Sequence, residues 1–192
     1  VNEQRILRTI KALEKNNMNG YMVASNVDLI SKIEELISPK SKVSCGGSMT
    51  LFETGVIDHL KSGRYEFLDR YKEGLTQDEI KEIFRQSFLS DAYVTSTNAI
   101  TENGEIYNVD GNGNRVAAML YGPDKVIIVA GVNKIVPNVE EAIIRTKEYA
   151  SPINAKRLNK ETPCTKIGRC VECNSDNRIC NCLLYTSDAA ND

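Results

Sequence analysis

The sequence has little histidine, little net charge and no long apolar run, and each shortage excludes a class of function. With a formal net charge of −2, the chain lacks the excess of lysine and arginine that drives binding to nucleic acid or to anionic membranes. No apolar stretch approaches the roughly 20 residues that a membrane span needs. The given sequence does not open with the charged-then-apolar pattern of a secretion signal. We therefore expect a cytoplasmic protein with no membrane or nucleic-acid partner.

His59 is the only histidine, and this limits the catalytic chemistry. A Ser-His or Cys-His catalytic pair would have to use it. The residue falls late in a predicted helix, where a histidine commonly complements the helix dipole, and this is the interpretation that we favour. Histidine-rich metal sites are excluded, so acid–base work would fall to Glu, Asp, Tyr or Lys.

Helices and strands alternate along most of the chain. Helical spacing, caps and stops predict helices over 3–16, 26–37 and 49–60, a helix capped by Thr76 and Glu79, and a helix over 137–149 that Pro137 opens. Short apolar runs predict strands over 21–24, 42–45, 65–68, 91–95, 106–109 and 125–130, the last expected to be central. The alternation predicts an α/β fold, in which a mainly parallel sheet is flanked by helices on both faces.

The character of the chain changes after residue 150. Residues 1–150 are expected to form the α/β domain, whereas 151–182 lose apolar periodicity and form a cysteine-rich tail. The final stretch, LLYTSDAAND over 183–192, fits no pattern around it and is interpreted as an artefactual extension, outside the fold.

The stretch VSCGGSMTLFETG, residues 43–55, places a glycine turn between a strand and a helix. Backbone N–H groups and a helix N-terminus at that point favour an anion, and glycines let it approach closely. A plain tight turn with a serine cap explains the same residues equally well, since the stretch lacks a full phosphate-loop motif. The candidate ligand-binding residues here are Gly46, Gly47, Ser48, Thr50 and Glu53.

A second polar stretch, residues 98–115, separates two apolar runs. Glu102 precedes a predicted Asn103-Gly104 turn, where its carboxylate could serve as a nucleophile or general base; taken alone, an exposed turn glutamate is the simpler interpretation. Asn114 and Arg115 could fix a carboxylate or phosphate, and the alternative for them is a loop salt bridge. The candidate ligand-binding residues here are Asn98, Asn103, Asn112, Gly113, Asn114 and Arg115.

Five of the cysteines crowd together near the C-terminus, apart from the single Cys45. Their spacing is C-x5-C-x2-C-x6-C, followed by Cys182, and four thiolates suit zinc or an iron–sulfur cluster. The spacing matches neither a ferredoxin run nor a standard zinc ribbon, and reduced surface thiols are the alternative. The predicted metal ligands are Cys164, Cys170, Cys173 and Cys180.

Together, CGGSMTLFETG, the TENG turn, VDGNGNRVAAMLYGPDKVIIVAGVNKIV and the cysteine-bearing tail resemble the LUD-domain family, which includes the LutC and YkgG lactate-utilisation proteins. The tail resembles that of a cysteine-bearing subset of the family. The resemblance covers about residues 1–182. It implies a fold similar to the NagB/RpiA/CoA-transferase group and a part in oxidising L-lactate to pyruvate beside iron–sulfur partner proteins.

The resemblance also gives two positions an expected role. The 46–48 turn is similar to loops that hold phosphate or carboxylate in this fold group. Glu102 in T-E-N-G is similar to the acyl-carrying glutamate of class I CoA-transferases, which lies in an S-E-N-G turn. Threonine replaces the serine here, and the chain lacks the second half of a CoA-transferase, which leaves Glu102 as a ligand-contacting carboxylate at least.

Three functions are consistent with these residues. The first is a lactate-utilisation subunit that binds a small anionic metabolite at the two polar loops and works with iron–sulfur lactate-oxidation subunits. The second is a CoA-transferase-like enzyme that uses Glu102. The third is an electron-transfer or assembly module that carries a metal at the cysteine tail. We rank the first highest because both polar loops fall at predicted strand ends.

Overall fold

The computed structural model describes residues 3–186. Within them the helices are α1 (Glu3–Lys15), α2 (Asn26–Leu36), α3 (Met49–Glu53), α4 (Val56–Leu60), α5 (Gln77–Gln86), α6 (Asn114–Leu120), α7 (Val139–Arg145), α8 (Ser151–Arg157) and α9 (Pro163–Ile167). The strands are β1 (Lys42–Cys45), β2 (Glu66–Phe67), β3 (Ala92–Thr95), β4 (Ala99–Thr101), β5 (Ile106–Asp110), β6 (Lys125–Ile128), β7 (Ile135–Val136) and β8 (Cys182–Thr186). None of these helices is long and apolar enough to cross a membrane.

The chain divides into two compact units. The parallel-sheet unit consists of residues 23–96 and 114–130, and the terminal unit contains residues 3–22, 97–113 and 131–186 of the described chain. The predicted boundary between a domain over 1–150 and a tail over 151–182 stays a prediction.

The parallel-sheet unit is built on four strands in the order β2-β1-β3-β6, all parallel. Its core joins residues of β1 and β3, such as Val43 and Val94, to apolar side chains of α2, α3 and α4, such as Ile33, Leu51 and Leu60. Parallel strands need this cover because both of their faces are apolar. The predicted α/β fold, with a parallel sheet flanked by helices, is confirmed.

Strand β6 lies at the edge of this sheet, so the prediction of a central position is wrong. Among residues 3–186 it pairs only with β3, and Val126, Ile127 and Ile128 are only partly buried. The apolar run of a strand does not show how many strands lie beside it, because those strands come from other parts of the chain.

The predicted helix over 49–60 is two short helices, α3 and α4. Gly55 separates them with φ of 75°, in the left-handed region that glycine adopts at little cost. The predicted capping box of α5 is present, since Thr76 and Glu79 exchange side-chain and backbone hydrogen bonds. His59 lies in the last turn of α4, as expected, and its Nε2 is 3.3 Å from the Tyr65 hydroxyl.

The terminal unit contains a mixed sheet in the order β7-β4-β5-β8. β4 pairs parallel with β7 and antiparallel with β5, and β5 pairs antiparallel with β8. Residues 183–186, which the sequence pattern assigned to an artefactual extension, therefore belong to a paired strand, and 187–192 lie outside the described residues. A strand's partner comes from elsewhere in the chain, so its own sequence does not reveal the pairing.

Two further predictions about local structure are wrong in detail. Residues 21–24 form no strand; Tyr21 and Met22 are about half exposed in the connection between α1 and α2. The helix predicted over 137–149 begins after its N-cap Asn138 and passes through a π-helical turn, Thr146–Ala150, directly into α8. The cap decides the start because the Asn138 side chain accepts the Glu141 N–H.

Candidate functional site

The glycine turn, residues 46–48, follows β1 in the parallel-sheet unit, and its first residue, Gly46, is buried. The Gly46 N–H donates to the Val94 carbonyl oxygen at 3.0 Å, which extends the β1–β3 pairing by one residue. A Cβ atom on Gly46 would lie 2.3 Å from Thr95 Oγ1 and 3.1 Å from side-chain carbons of Arg115. Glycine is therefore required here by the close approach of β3 and α6.

Gly47 is exposed and faces an arginine. A Cβ atom on Gly47 would lie 3.6 Å from the nearest guanidinium nitrogen of Arg70, at ordinary van der Waals distance. The Arg70 guanidinium lies 4.5 Å from the Phe84 ring centroid and 5.4 Å from that of Tyr71. Among the described residues Arg70 forms no ion pair. The turn thus presents main-chain atoms beside a cation that two aromatic rings hold in place.

Ser48 is the N-cap residue of α3, as predicted, but its side chain makes no capping hydrogen bond within the described chain. Because α3 has only five residues, its dipole contributes less than that of the long helix expected from the sequence. Thr50 is partly buried and Glu53 is exposed on α3. Any anion at this turn would depend on the glycine main chain and arginine more than on the helix end.

Arg115 lies in the first turn of α6 and is buried, with 8% of its surface exposed. Its Nη1 donates to the Ser96 carbonyl oxygen at 2.9 Å. Asn114, the first residue of α6, is partly buried. The aliphatic part of Arg115 supports the glycine turn, while its guanidinium holds the chain that follows β3.

Glu102 lies in the terminal unit, in a turn closed by a hydrogen bond from the Gly104 N–H to the Thr101 carbonyl oxygen. Its Oε1 accepts from Arg5 Nε at 2.6 Å, and its Oε2 lies 3.5 Å from a guanidinium nitrogen of Arg8. About a quarter of the Glu102 side chain is exposed. This carboxylate is an ion-paired anchor for α1, and its role as an acyl-carrying nucleophile stays a prediction.

Glu102 and Asn103 share an open cavity of about 430 Å³ in the terminal unit. The cavity runs along one face of α1, where cationic side chains dominate its lining. The lining residues are Arg8, Lys11, Ala12, Lys15, Asn16, Glu102 and Asn103. The Asn16 side chain donates to the Asn103 carbonyl oxygen at 3.2 Å, so the turn is also held to α1 on this side.

The remaining predicted ligand residues of the terminal unit differ in exposure. Asn98 Oδ1 accepts from the Val109 N–H at 3.0 Å, and the Asn98 carbonyl oxygen accepts from Arg145 at 2.6 Å. Burial lowers the pKa of the Arg145 guanidinium from its usual value. Through these two contacts Asn98 joins β5 to α7, which is a structural role.

Asn112 and Gly113 lie in the loop that follows β5. Asn112 is exposed, and Gly113 has φ of 76°.

Four cysteines of the tail line one small cavity in the terminal unit, of about 20 Å³. They are the predicted ligands Cys164, Cys170, Cys173 and Cys180. Burial raises the pKa of the Cys180 thiol; nearby Arg178 lowers it, and the other three cysteines add to the rise. In the described chain, no three or more histidine, cysteine or acidic side chains already stand as a ready metal-ligand set.

The family model for the LUD domain matches residues 6–189. The chain belongs to the LUD domain family. The family predicted from the sequence motifs is thereby confirmed, together with its α/β fold. No curated protein matches this LUD chain.

Two solved structures are similar to this LUD protein. A DUF162 family protein from Deinococcus radiodurans is 18% identical, covers 76% of this chain and 80% of its own, and superposes with a TM-score of 0.51. The β subunit of eIF2B from Chaetomium thermophilum is 15% identical, covers 59% of this chain and 40% of its own, and has a TM-score of 0.40. At these identities the first similarity shows the fold alone.

The predicted ligand residues of the LUD chain fall into both compact units. The parallel-sheet unit holds Gly46, Gly47, Ser48, Thr50, Glu53, Asn114 and Arg115. The terminal unit holds Asn98, Glu102, Asn103, Asn112 and Gly113. Within the first unit, Gly46 and Arg115 are in contact, and within the second, Glu102 and Asn103 line one cavity.

Arg70 is the residue that the sequence interpretation missed. Its signal was its position three residues after the end of β2, because β1 and β2 are parallel and their carboxyl ends meet at one edge of the sheet. Arg5 and Arg8, the partners of Glu102, had no comparable signal, since they are exposed-face residues of an amphipathic helix in the sequence pattern.

Proposed function

We propose that this LUD protein takes part in the oxidation of L-lactate to pyruvate and binds a small carboxylate or phosphorylated ligand at the 46–48 turn. The observation that carries the ligand proposal is the Arg70 guanidinium beside Gly47, which is exposed and has no side chain of its own. Lactate and pyruvate both carry a carboxylate, and their anionic group is the part that such a site would recognise.

The chemistry of the turn suits a planar anion. A guanidinium presents parallel N–H donors that match the two oxygens of a carboxylate or two oxygens of a phosphate. Phe84 and Tyr71 restrict Arg70, so less side-chain freedom is lost when a ligand binds. Asp69, the residue before Arg70, forms an ion pair with Lys61, with 3.0 Å between Lys61 Nζ and Asp69 Oδ2. The neighbouring carboxylate is thus paired with a lysine and not with Arg70.

The proposed part in lactate oxidation is supported by membership of the LUD domain family, whose resemblance to lactate-utilisation proteins implies it. Oxidation of lactate to pyruvate releases two electrons and two protons, and an acceptor must take them. Iron–sulfur partner proteins, which the family resemblance implies, are the proposed acceptors. The contribution of this chain would be to hold the organic acid while the partners carry the electrons.

Calorimetric titration tests the ligand proposal directly. L-Lactate, pyruvate and inorganic phosphate are titrated into the full chain, into Arg70→Gln and into Arg85→Gln. Arg85 is the matched control because it is an exposed arginine of the same unit, 3.4 Å from Glu82 on α5. We expect Arg70→Gln to weaken binding of at least one of the three by roughly tenfold or more, and Arg85→Gln to leave it unchanged. Equal affinity in all three proteins would contradict the proposal.

Growth tests the metabolic role. A strain that lacks this chain is grown on L-lactate as its carbon source, and the gene for the full chain, Arg70→Gln or Arg85→Gln is restored. We expect the full chain and Arg85→Gln to restore growth and Arg70→Gln to fail, with equal amounts of all three proteins in the cells. Unimpaired growth of the strain without the chain would refute a part in lactate oxidation, whatever the titrations show.

A further inference from the structure

The four cysteines that line one cavity come from three separate parts of the tail. Cys164 lies in the first turn of α9, Cys170 and Cys173 in the loop after it, and Cys180 two residues before β8. All five tail cysteines are partly buried, but the fifth, Cys182, lies in β8 and does not line the cavity. Four of the five tail thiols therefore lie around one cavity in the folded chain.

Two of the four sulfurs lie near polar groups of neighbouring residues. Glu172, inside the C-x2-C pair, has φ of 53°, which is uncommon for a residue with a side chain. In this conformation its N–H points at Cys170 Sγ, 3.4 Å away. The Thr162 hydroxyl lies 3.2 Å from Cys164 Sγ; either atom could donate to the other while the cysteine is a thiol, and only the hydroxyl can donate once it is a thiolate. Hydrogen-bond donors at sulfur favour the charged thiolate, which is the form that binds a metal.

The tail is not held by an apolar core. Neither of the two apolar clusters in the described chain includes a residue from 157 onward. The loop is attached by a few polar contacts, such as the Cys170 N–H on the Lys147 carbonyl oxygen at 2.9 Å and the ion pair between Lys147 and Glu172. A segment with so little buried apolar surface needs another source of order, and a metal ion is a common one.

The local charge is also suitable. Arg178 donates to the Cys173 carbonyl oxygen at 3.3 Å and lines the same cavity. A divalent ion with four thiolates carries a net negative charge, so a guanidinium at its edge offsets part of that charge. The size of the space indicates the kind of occupant. A cavity of about 20 Å³ has room for one water-sized group, and a cluster of several iron and sulfide atoms is much larger.

We propose that Cys164, Cys170, Cys173 and Cys180 bind a single zinc ion in a tetrahedral thiolate site that orders residues 163–181. Each cysteine has one side-chain torsion, so its sulfur can adjust to a tetrahedral position around the ion. Each thiol releases its proton when it binds the ion.

Metal analysis of the full chain tests this inference. The protein is purified without oxygen and without chelators, and zinc, iron and acid-labile sulfide are measured per chain. We expect one zinc per chain, no sulfide and no visible colour. Iron with sulfide in comparable amounts would overturn the zinc site in favour of a cluster, and a metal-free chain after refolding with excess zinc would overturn the inference altogether.

Cobalt substitution identifies the ligands. Co²⁺ bound by four thiolates gives intense sulfur-to-metal absorption in the near ultraviolet and tetrahedral bands in the red. We expect these bands in the full chain, loss of tetrahedral four-thiolate absorption in Cys173→Ser and Cys180→Ser, and an unchanged spectrum in Cys182→Ser and Cys45→Ala. Loss of the bands in Cys182→Ser to the same extent would contradict the assigned ligand set.

A second measurement covers the case in which Cys173→Ser or Cys180→Ser fails to fold. Hydrogen exchange of the full chain is followed with zinc and after removal of zinc by a chelator. We expect faster exchange over residues 163–181 without the ion and little change in the parallel-sheet unit. Exchange over 163–181 that is equally slow with and without zinc would overturn the ordering role.

Discussion

The Arg5 side chain donates its Nε–H to Glu102 Oε1 at 2.6 Å, and this ion pair joins α1 to the turn over residues 101–104. Arg8 lies 3.5 Å from the second carboxylate oxygen. A glutamate that the sequence motif suggests for catalysis is thus a structural contact between segments 97 residues apart.

Glu102→Gln should therefore lower the free energy of unfolding. Because the pair is partly exposed, we expect a loss of about 1 kcal/mol in urea denaturation. A double-mutant cycle with Arg5→Met separates the pair from other effects of each change. Strictly additive losses in the cycle would mean that the contact contributes no stability.

Gly46→Ala should be strongly destabilising, whereas Gly47→Ala should be tolerated. The added methyl group on Gly46 would meet Thr95 Oγ1 at 2.3 Å, while the one on Gly47 has ordinary contacts. We expect a loss of roughly 1–3 kcal/mol for Gly46→Ala by thermal or urea unfolding. Thr95→Ala in the same chain should restore part of that loss, and no restoration would argue against this clash.

Gly47→Ala should also weaken anion binding at the turn. Its methyl group would stand between the main chain and the Arg70 guanidinium, where we propose that the ligand binds. Calorimetric titration with L-lactate, pyruvate and phosphate checks this, alongside an unfolding curve that shows the fold to be intact. Full affinity in a stable Gly47→Ala protein would move the ligand away from this turn.

Cys45 should make the protein less stable at alkaline pH. Burial raises the pKa of this thiol from its ordinary value of 9.0 to about 12, so the folded chain keeps a proton that the unfolded chain releases. The free energy of unfolding should therefore fall as pH rises above 9, by up to roughly 1.4 kcal/mol per pH unit.

Unfolding curves of the full chain and Cys45→Ala between neutral pH and pH 11 check this expectation. The variant should have a shallower alkaline decline, although its stability at neutral pH is lower because a buried side chain is truncated. Cys182→Ala is the control, and it should keep the steeper decline. Parallel curves for the full chain and Cys45→Ala would exclude Cys45 as the source.

Shortening the chain tests the pairing of the last strand. A chain that ends at residue 181 loses β8 and exposes the edge of β5, whereas a chain that ends at 186 keeps the whole ladder. We expect the shorter chain to be less stable by roughly 1–3 kcal/mol, with faster amide exchange along Ile106–Asp110. Equal exchange along β5 in the two chains would mean that β8 adds nothing to the sheet.

Local features of the fold were predictable because their causes lie within a few residues. The capping box of Thr76 and Glu79, the helical spacing of α1 and α2 and the apolar runs of β1 and β3 all act over one or two turns or strands. The helix over 49–60 was less predictable, since its apolar spacing continues past the left-handed Gly55.

The sequence by itself determined the α/β class, the LUD family, the glycine turn after β1 and the four cysteines now found around one cavity. Tertiary structure alone decided that Arg70 faces Gly47, that Arg5 pairs with Glu102, that β6 is an edge strand and that β8 pairs with β5. The physical reason is the range of the interactions involved. Propensity, capping and periodicity act between neighbours in the chain, whereas strand order and ion pairs depend on contacts between residues far apart in sequence.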